Sequence, residues 1–242
     1  MQISGFIDIH SHILPKLDEG SSSVEETEEM LRIAKEDGIS AMVATPHVLA
    51  GVYPNTRETI EEAIRDLSPV ISGVTLYIGA EVRISRNLAK RISDNELPLI
   101  NNNTFLLLEL PAYVLPPIEE LERFVKDLRT CKINPIFAHP ERNMTIVNNL
   151  SIMERLIGCG AAFQLTSMSL TNCFGKQVKK AAMKMIQKGY VQVVASDAHN
   201  AGKRPPILSQ GYAIVEKNFG IYEAERLFKQ NPFKVISGED LT

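Results

Sequence analysis

The chain has 242 residues, of which 44% are hydrophobic and 23% are charged, with a formal net charge of −3. This length suits one α/β domain over residues 1–242, and the lack of a basic excess argues against nucleic-acid binding. The sequence contains no apolar run long enough to cross a bilayer and no secretory signal, which predicts a cytoplasmic protein without membrane insertion. The three cysteines form no C-x-x-C pair and indicate reduced thiols.

Apolar runs alternate with helical patterns along the whole chain. Seven runs predict strands: Ile3–Ile9, Ile39–Thr45, Val74–Ile78, Phe105–Glu109, Asn134–Ala138, Ala161–Leu165 and Val191–Ala195. Amphipathic spacing and end signals predict helices over Ser21–Gly38, Thr56–Val70, Ser85–Ile92, Pro117–Cys131, Ser151–Gly158, Gly175–Lys188, Pro206–Phe219 and Tyr222–Asn231. Strands that are apolar on both faces predict a parallel sheet covered by helices, either closed into a barrel or open and doubly wound.

All five histidines of the chain lie at or just after the ends of predicted strands. His10 and His12 are spaced i, i+2 at the first strand end, so both side chains leave on the same side. His47, His139 and His199 follow the second, fifth and seventh predicted strands. A single histidine of this kind is usually a loop residue. Because the ends of parallel barrel strands share one rim, the five together predict a metal cluster.

Carboxylates occur at the same predicted strand ends. They are Asp18, Glu19, Glu81, Glu109 and Asp197. Each of them alone could be a turn residue or a helix cap. Together with the histidines they exceed the ligand needs of one ion and predict two or three ions, an arrangement used for phosphoester hydrolysis. Mixed imidazole and carboxylate ligands suit Mn, Fe or Zn. Asp8, inside the first strand, is interpreted as a structural hydrogen-bond acceptor.

Two arginines follow the same strand ends and predict an anion site. Arg142 comes three residues after His139, and Arg204 comes five residues after His199. Guanidinium groups match phosphate geometry because they donate two parallel hydrogen bonds. Arg83 is a weaker third candidate. For each arginine the alternative is a salt bridge at the rim.

Six motifs together resemble the PHP (polymerase and histidinol phosphatase) superfamily. They are Ile7–His12, Ala44–His47, Gly79–Val82, Leu108–Glu109, Ala138–Arg142 and Ala195–Asn200. The whole pattern, which continues through Arg204–Pro206 to Asn231–Pro232, is similar to the bacterial manganese-dependent protein-tyrosine phosphatases of capsular and exopolysaccharide operons. The resemblance implies a PHP-type distorted (β/α)7 TIM-like barrel.

The resemblance also implies three divalent ions, with manganese expected and iron or zinc as alternatives. It implies three ligand sets: His10, His12, Glu81 and Asp197; Glu81, Glu109 and His139; and His47, His199 and an acidic residue after the first strand. The family usually has Asp-Asp-Gly at that acidic position, with the second Asp as ligand. This chain has Asp18-Glu19-Gly20. Glu19 occupies the ligand position, and Asp18 is the alternative.

The implied activity is hydrolysis of phosphotyrosine on a cognate bacterial tyrosine kinase by metal-bound hydroxide, without a phosphoenzyme. The implied catalytic residues are Arg142, Arg204, Asp197 and His199. Cysteine-based tyrosine phosphatases need a C-x5-R loop, which this sequence lacks. Two alternatives stay open: a small-molecule phosphatase of the histidinol-phosphatase type, and a non-catalytic regulator that docks on a kinase or polysaccharide complex. The oligomeric state is left open by the sequence.

Overall fold

The computed structural model describes residues 5–67, 73–85, 88–111 and 114–241. The strands in these ranges are β1 (Phe6–Ser11), β2 (Ile39–Ala44), β3 (His47–Val48), β4 (Thr75–Ile78), β5 (Glu81–Arg83), β6 (Phe105–Glu109), β7 (Asn134–Ala138), β8 (Ala162–Thr166) and β9 (Val193–Ala195). The helices are α1 (Val24–Glu36), α2 (Arg57–Leu67), α3 (Leu88–Ser93), α4 (Ile118–Thr130), α5 (Met144–Asn148), α6 (Ser151–Gly158), α7 (Ser167–Thr171), α8 (Lys176–Gln187), α9 (Ser209–Phe219), α10 (Ile221–Glu225) and α11 (Asn231–Ser237).

The strands are parallel and follow one another in seven positions around the molecule. The pairing orders are β1-β2-β4 and β3-β5-β6-β7-β8-β9. β3 continues β2 after Thr45–Pro46, and β5 continues β4 after Gly79–Ala80, so each pair fills one position. At the seam between β1 and β9, the Asp197 N–H donates to the His10 carbonyl at 2.9 Å, and the His12 N–H donates to the Ala198 carbonyl at 2.8 Å. The predicted seven-stranded (β/α) architecture is confirmed.

Local end signals in the sequence account for several element boundaries. The Ser23 side chain accepts a hydrogen bond from the Glu26 N–H and caps the start of α1, two residues after the predicted start at Ser21. Gly38 ends that helix with a φ of +87°, a left-handed conformation that favours glycine. Parts of three predicted elements, Ile3–Ile9, Thr56–Val70 and Ser85–Ile92, lie outside the described residues.

The predicted helix at Tyr222–Asn231 ends too early. In the structure α10 leads through a π-helical turn at Arg226–Gln230 into α11, which extends to Ser237. Pro232 lies at the second position of α11, directly after the π-helical turn, and does not end the helical run there.

Both faces of the strands are buried, one against the surrounding helices and the other mainly against the facing strand residues. One apolar cluster joins the strands to the surrounding helices, with Leu106, Leu108 and Phe137 fully buried. A second cluster joins other strand residues to Val235 and Ile236 of α11. Among the described residues, no helix has the length and apolar character needed to span a bilayer.

Candidate metal centre

Four predicted ligands from three parts of the chain meet at one point. The Nε2 atoms of His10 and His12 lie 3.2 Å apart. Each lies 3.3–3.4 Å from Oε2 of Glu81 and 3.4–3.5 Å from Oδ1 of Asp197. Donor atoms that surround one ion tetrahedrally at about 2.0–2.1 Å are separated by about 3.3–3.4 Å, so these spacings fit a divalent cation.

Glu81 lies at the centre of the wider cluster. Its Oε1 atom is 2.8 Å from Nε2 of His139, and its Oε2 atom is 3.0 Å from Nδ1 of His47. His47 Nδ1 also lies 3.8 Å from Oε2 of Glu109. Glu81 Oε2 is buried and has no hydrogen-bond partner among the described residues, although a buried carboxylate oxygen normally has one. A bound cation would satisfy this oxygen, and Glu81 could be shared between two ions.

A third group of donors lies on the open side of the cluster. Nitrogen atoms of His12, His47 and His199 lie within 4.8 Å of one another. Oε1 of Glu19 is 3.0 Å from Nε2 of His47 and 3.9 Å from Nε2 of His199. The Glu19 side chain is 46% exposed, so this position is the one most open to solvent.

Asp18 points away from this third position. Its Oδ2 atom lies 2.6 Å from Nδ1 of His12 and accepts the His47 backbone N–H at 2.8 Å. Its Oδ1 atom accepts the Gly20 N–H at 2.9 Å. Burial opposes ionisation of Asp18, but the His12 ring outweighs it and lowers the carboxyl pKa to about 2. Of the two alternatives left by the sequence, the geometry favours Glu19 as the donor and Asp18 as the residue that orients His12.

Gln164 fixes the other histidine of the first strand, a role that the sequence prediction missed. Its Oε1 atom is 2.9 Å from Nδ1 of His10, and its Nε2 donates to the Leu165 carbonyl at 2.7 Å. The Leu165 contact sets the direction of the amide, so His10 Nδ1 donates and Nε2 faces the cluster. Such outer contacts orient metal-binding histidines. A signal was available, because Gln164 is the single polar residue in the predicted strand Ala161–Leu165.

Asp8 is a structural acceptor, as the sequence predicts. It is fully buried and accepts hydrogen bonds from the Ser196 N–H at 2.9 Å and the Ser196 hydroxyl at 2.5 Å. The pair ties β1 to the segment after β9 and thereby places His10 beside Asp197.

The histidines fall into two electrostatic groups. Burial lowers the pKa of His139 to about 4 and that of His199 to about 3, so both rings are neutral and offer a lone pair near neutral pH. Burial also acts to lower the pKa of His10 and His12, but facing carboxylates outweigh it and raise both values. Burial and the charge of Glu81 raise the pKa of Glu109. A divalent cation would relieve this clustering of carboxylates.

Two predicted site residues have left-handed backbone conformations. The φ angle is +37° at His139 and +54° at Asp197. Such angles are unfavourable for residues other than glycine and are concentrated at functional sites, where the surrounding structure enforces them.

The two predicted phosphate-binding arginines share one carboxylate oxygen. Arg142 Nη2 donates to Oδ2 of Asp197 at 2.5 Å, and Arg204 Nη2 donates to the same oxygen at 2.6 Å. The charge of Arg142 in particular holds the pKa of Asp197 well below its usual range, although burial acts in the opposite direction. The Nε atoms of both arginines are buried and have no partner in the described part of the chain. Arg83 instead pairs with Glu109 at 2.8 Å, which fits the rim salt-bridge alternative.

Two aromatic residues that the sequence prediction missed also border the site. The guanidinium carbons of Arg142 and Arg204 lie 5.3 Å and 6.0 Å from the centre of the Phe174 ring. The Tyr53 ring stacks on His47 with centres 5.8 Å apart. No spacing rule in the sequence links either aromatic residue to its partner.

A cavity of about 280 Å³ opens over these groups. Its charged and imidazole lining comprises Glu19, His47, Glu81, Glu109, His139, Arg142, Asp197, His199 and Arg204. Cation-binding donors and guanidinium groups therefore line the same cavity, an arrangement that suits an anionic ester substrate.

Residues 6–237 match the family model described as capsular polysaccharide synthesis, CpsB/CapC. The chain belongs to the CpsB/CapC family. The CapC protein of Staphylococcus aureus is 36% identical to it over 240 residues, covering 98% of this chain and 93% of the relative. The tyrosine-protein phosphatase YwqE of Bacillus subtilis is 35% identical over 218 residues, covering 88% of this chain and 85% of the relative.

Solved structures support the family assignment and the fold. This CpsB/CapC-family protein superposes with a TM-score of 0.92 and 33% identity on a crystal structure from the pair YwqE of B. subtilis and CpsB of Streptococcus pneumoniae, described as unique metal-dependent tyrosine phosphatases. The match covers 98% of this chain and 96% of that one. A histidinol phosphate phosphatase of Lactococcus lactis shares the fold, with a TM-score of 0.58 and 12% identity. That match covers 91% of this chain and 94% of the other. The predicted similarity to the bacterial tyrosine phosphatases of capsular polysaccharide synthesis is confirmed.

Proposed function

We propose that this CpsB/CapC-family protein is a metal-dependent phosphatase that hydrolyses phosphotyrosine. The observation that supports this proposal is the position of Asp197. Its Oδ1 atom faces His10 and His12 in the donor cluster, while its Oδ2 atom accepts hydrogen bonds from Arg142 and Arg204. A site for cations and a site for a phosphate group are thus joined by one carboxylate. The activity named for YwqE supports phosphotyrosine as the substrate class.

Nine residues would hold the cations in this proposal: His10, His12, Glu19, His47, Glu81, Glu109, His139, Asp197 and His199. We propose three divalent ions, with manganese as the metal that best suits oxygen and imidazole ligands without thiolate. When bound, such ions activate water and offset the negative charge of the phosphate.

The arginines and His199 have roles that follow from their own surroundings. The buried Nε–H groups of Arg142 and Arg204 would donate to phosphate oxygens that enter the cavity, and this would satisfy donors that have no partner in the described residues. Asp197 holds both guanidinium groups toward the cavity. His199, kept neutral by burial and by the charge of His12, has a free lone pair at neutral pH.

We further propose that the physiological substrate is a bacterial tyrosine kinase of capsule or exopolysaccharide synthesis, and that residues 1–242 act as a single domain in the cytoplasm. The family description supports the link to polysaccharide synthesis. The cysteines Cys131, Cys159 and Cys173 are unpaired, which fits a reducing compartment.

Phosphatase assays after chelation test the proposal. The purified protein is treated with a chelator, and Mn, Fe, Zn or Mg is then added back. We expect the chelator to abolish hydrolysis of a phosphotyrosine peptide and the added metal to restore it. The restored protein should hydrolyse this peptide faster than histidinol phosphate. A preference for histidinol phosphate would establish the small-molecule alternative. Asp197→Ala removes a cation donor and the anchor of both arginines. Unchanged hydrolysis in this variant would show that the measured hydrolysis does not come from this site, and that result, or the absence of bound metal, would favour a non-catalytic docking protein.

A further inference from the structure

Four lysines follow one another along α8 and its C-cap. They are Lys176, Lys180, Lys184 and Lys188, and all four are exposed. Residues four apart are neighbours on a helix surface, so these side chains form one row that winds gradually around the helix. We call this set the lysine row.

The lysine row has no carboxylate of its own helix beside it. α8 contains no aspartate or glutamate. Within the described ranges, no carboxylate forms an ion pair with any of the four lysines, and the ammonium group of Lys188 lies 6.0 Å from the centre of the Tyr190 ring. The whole chain has a net charge of −3, so the row is a local concentration of positive charge and not part of a general basic excess.

This arrangement is unfavourable for the helix itself. Like charges four residues apart repel one another, and a lysine in the first turn opposes the helix dipole. Other helices of this chain begin with acidic residues, such as Glu25 and Glu26 in α1 and Glu119 and Glu120 in α4. α8 has none in its first turn. A row that weakens its own helix is better explained by a binding role than by solvation alone.

The lysine row begins close in sequence to a residue that contacts the two arginines of the candidate site. Lys176 follows Phe174 by two residues, and the Phe174 ring lies against Arg142 and Arg204. α8 also packs against the turn Pro140–Arg142. A ligand that runs along the row therefore leads directly to the two arginines and the cavity.

We propose that the lysine row binds an acidic segment of the substrate polypeptide next to its phosphotyrosine, which rests on the proposed function. Charge complementarity and continuity with the arginines identify this occupant. An anionic membrane is disfavoured because the apolar residues of α8, including Ala181, Ala182, Met185 and Ile186, are buried against the barrel. Among the described residues, the exposed large hydrophobic side chains all lie outside α8, so the row has no apolar group to insert into lipid.

Two phosphotyrosine peptides of equal length test the proposal, one with Asp and Glu around the phosphotyrosine and one with Asn and Gln. We expect the wild-type protein to prefer the acidic peptide in kcat/KM, and the preference to shrink as salt is added. In the triple variant Lys176→Gln/Lys180→Gln/Lys184→Gln, we expect the ratio of acidic to neutral kcat/KM to fall by about fivefold, since each exposed charge pair contributes modestly.

The matched control is Lys126→Gln/Lys132→Gln/Lys217→Gln, which removes three exposed lysines elsewhere and gives the same net charge. It should keep the wild-type ratio. Equal ratios in both triple variants, no preference in the wild-type protein, or retention of the wild-type protein but not the lysine-row variant on phosphatidylserine vesicles would overturn the proposal. If neither peptide is hydrolysed, the proposed function fails, and fluorescence anisotropy of the two labelled peptides still measures whether the row selects the acidic one.

Discussion

Nδ1 of His12 lies 2.6 Å from Oδ2 of Asp18, and this contact sets the direction in which His12 faces the donor cluster. Both side chains are buried. Because Asp18 also accepts the backbone N–H groups of His47 and Gly20, it fixes the loop after β1 together with the imidazole ring. Asp18 is therefore a positioning residue, and the adjacent Glu19 is free to face His47.

Replacing Asp18 by Asn tests this division of roles. Asp18→Asn keeps the shape but removes the charge that orients His12, and we expect Mn²⁺ affinity to fall about 10–100-fold, as for other outer contacts of metal-binding histidines. Calorimetric titration of metal-free protein measures the affinity. Asp66→Asn, at an exposed position on α2, is the control. Glu19→Gln should instead reduce the number of ions bound. Wild-type affinity in Asp18→Asn would contradict the orienting role.

Phe174 offers a test of how the two arginines are held. Its ring contacts both guanidinium groups, so we expect Phe174→Leu to raise the inhibition constant for inorganic phosphate by about 3–10-fold, while Phe174→Tyr keeps it near the wild-type value. Phe219→Leu, a half-buried phenylalanine at the end of α9, is the matched control. Equal phosphate inhibition in Phe174→Leu and in the wild-type protein would show that the arginines need no aromatic support.

The sequence predicts the convergence of the histidines because one geometric rule governs it: parallel strands end at the same rim. His10, His139 and His199 are far apart in the chain, yet each lies at the carboxyl end of a strand or within a few residues after it, and the parallel arrangement brings these ends together. The same rule explains why Arg142 and Arg204 could be named in advance as an anion site.

No comparable geometric rule predicts the contacts that the sequence analysis missed. Phe174 reaches the arginines from the loop between α7 and α8, and the direction of that loop depends on tertiary packing. Asp18 and Glu19 are chemically similar neighbours, and one of the contacts that separate their roles, from the His47 N–H to Asp18, comes from far along the chain. Pro46 indicates the break after β2, but the resumption of pairing at β3 depends on its partner β5.

Metal binding should strengthen as the pH rises. Nearby carboxylates raise the pKa of His10 and His12 against the opposing effect of burial, so in the metal-free protein these rings lose their protons at a higher pH than a free imidazole does. A cation must displace these protons, and affinity therefore increases as the pH moves through and above their pKa values. We expect at least about tenfold tighter Mn²⁺ binding at about pH 8 than at about pH 6. Titrations in buffers of different ionisation enthalpy should show proton release, and pH-independent affinity without proton release would contradict this account.

The Asp8–Ser196 contact predicts a pH-dependent stability of the metal-free protein. Burial raises the pKa of Asp8 from 3.8 to about 6 despite the hydrogen bonds from Ser196. The folded state therefore binds more protons than the unfolded state between these values, and the contribution of Asp8 to stability is lost as the pH rises from about 4 to about 6. Asn cannot ionise and can still accept the Ser196 N–H. We expect the difference in free energy of unfolding between the wild-type protein and Asp8→Asn to shift by about 3 kcal/mol across this range, in favour of Asp8→Asn at the higher pH. Urea unfolding with chelator present measures it, and a difference that is constant with pH would show that Asp8 keeps an ordinary pKa in the folded chain.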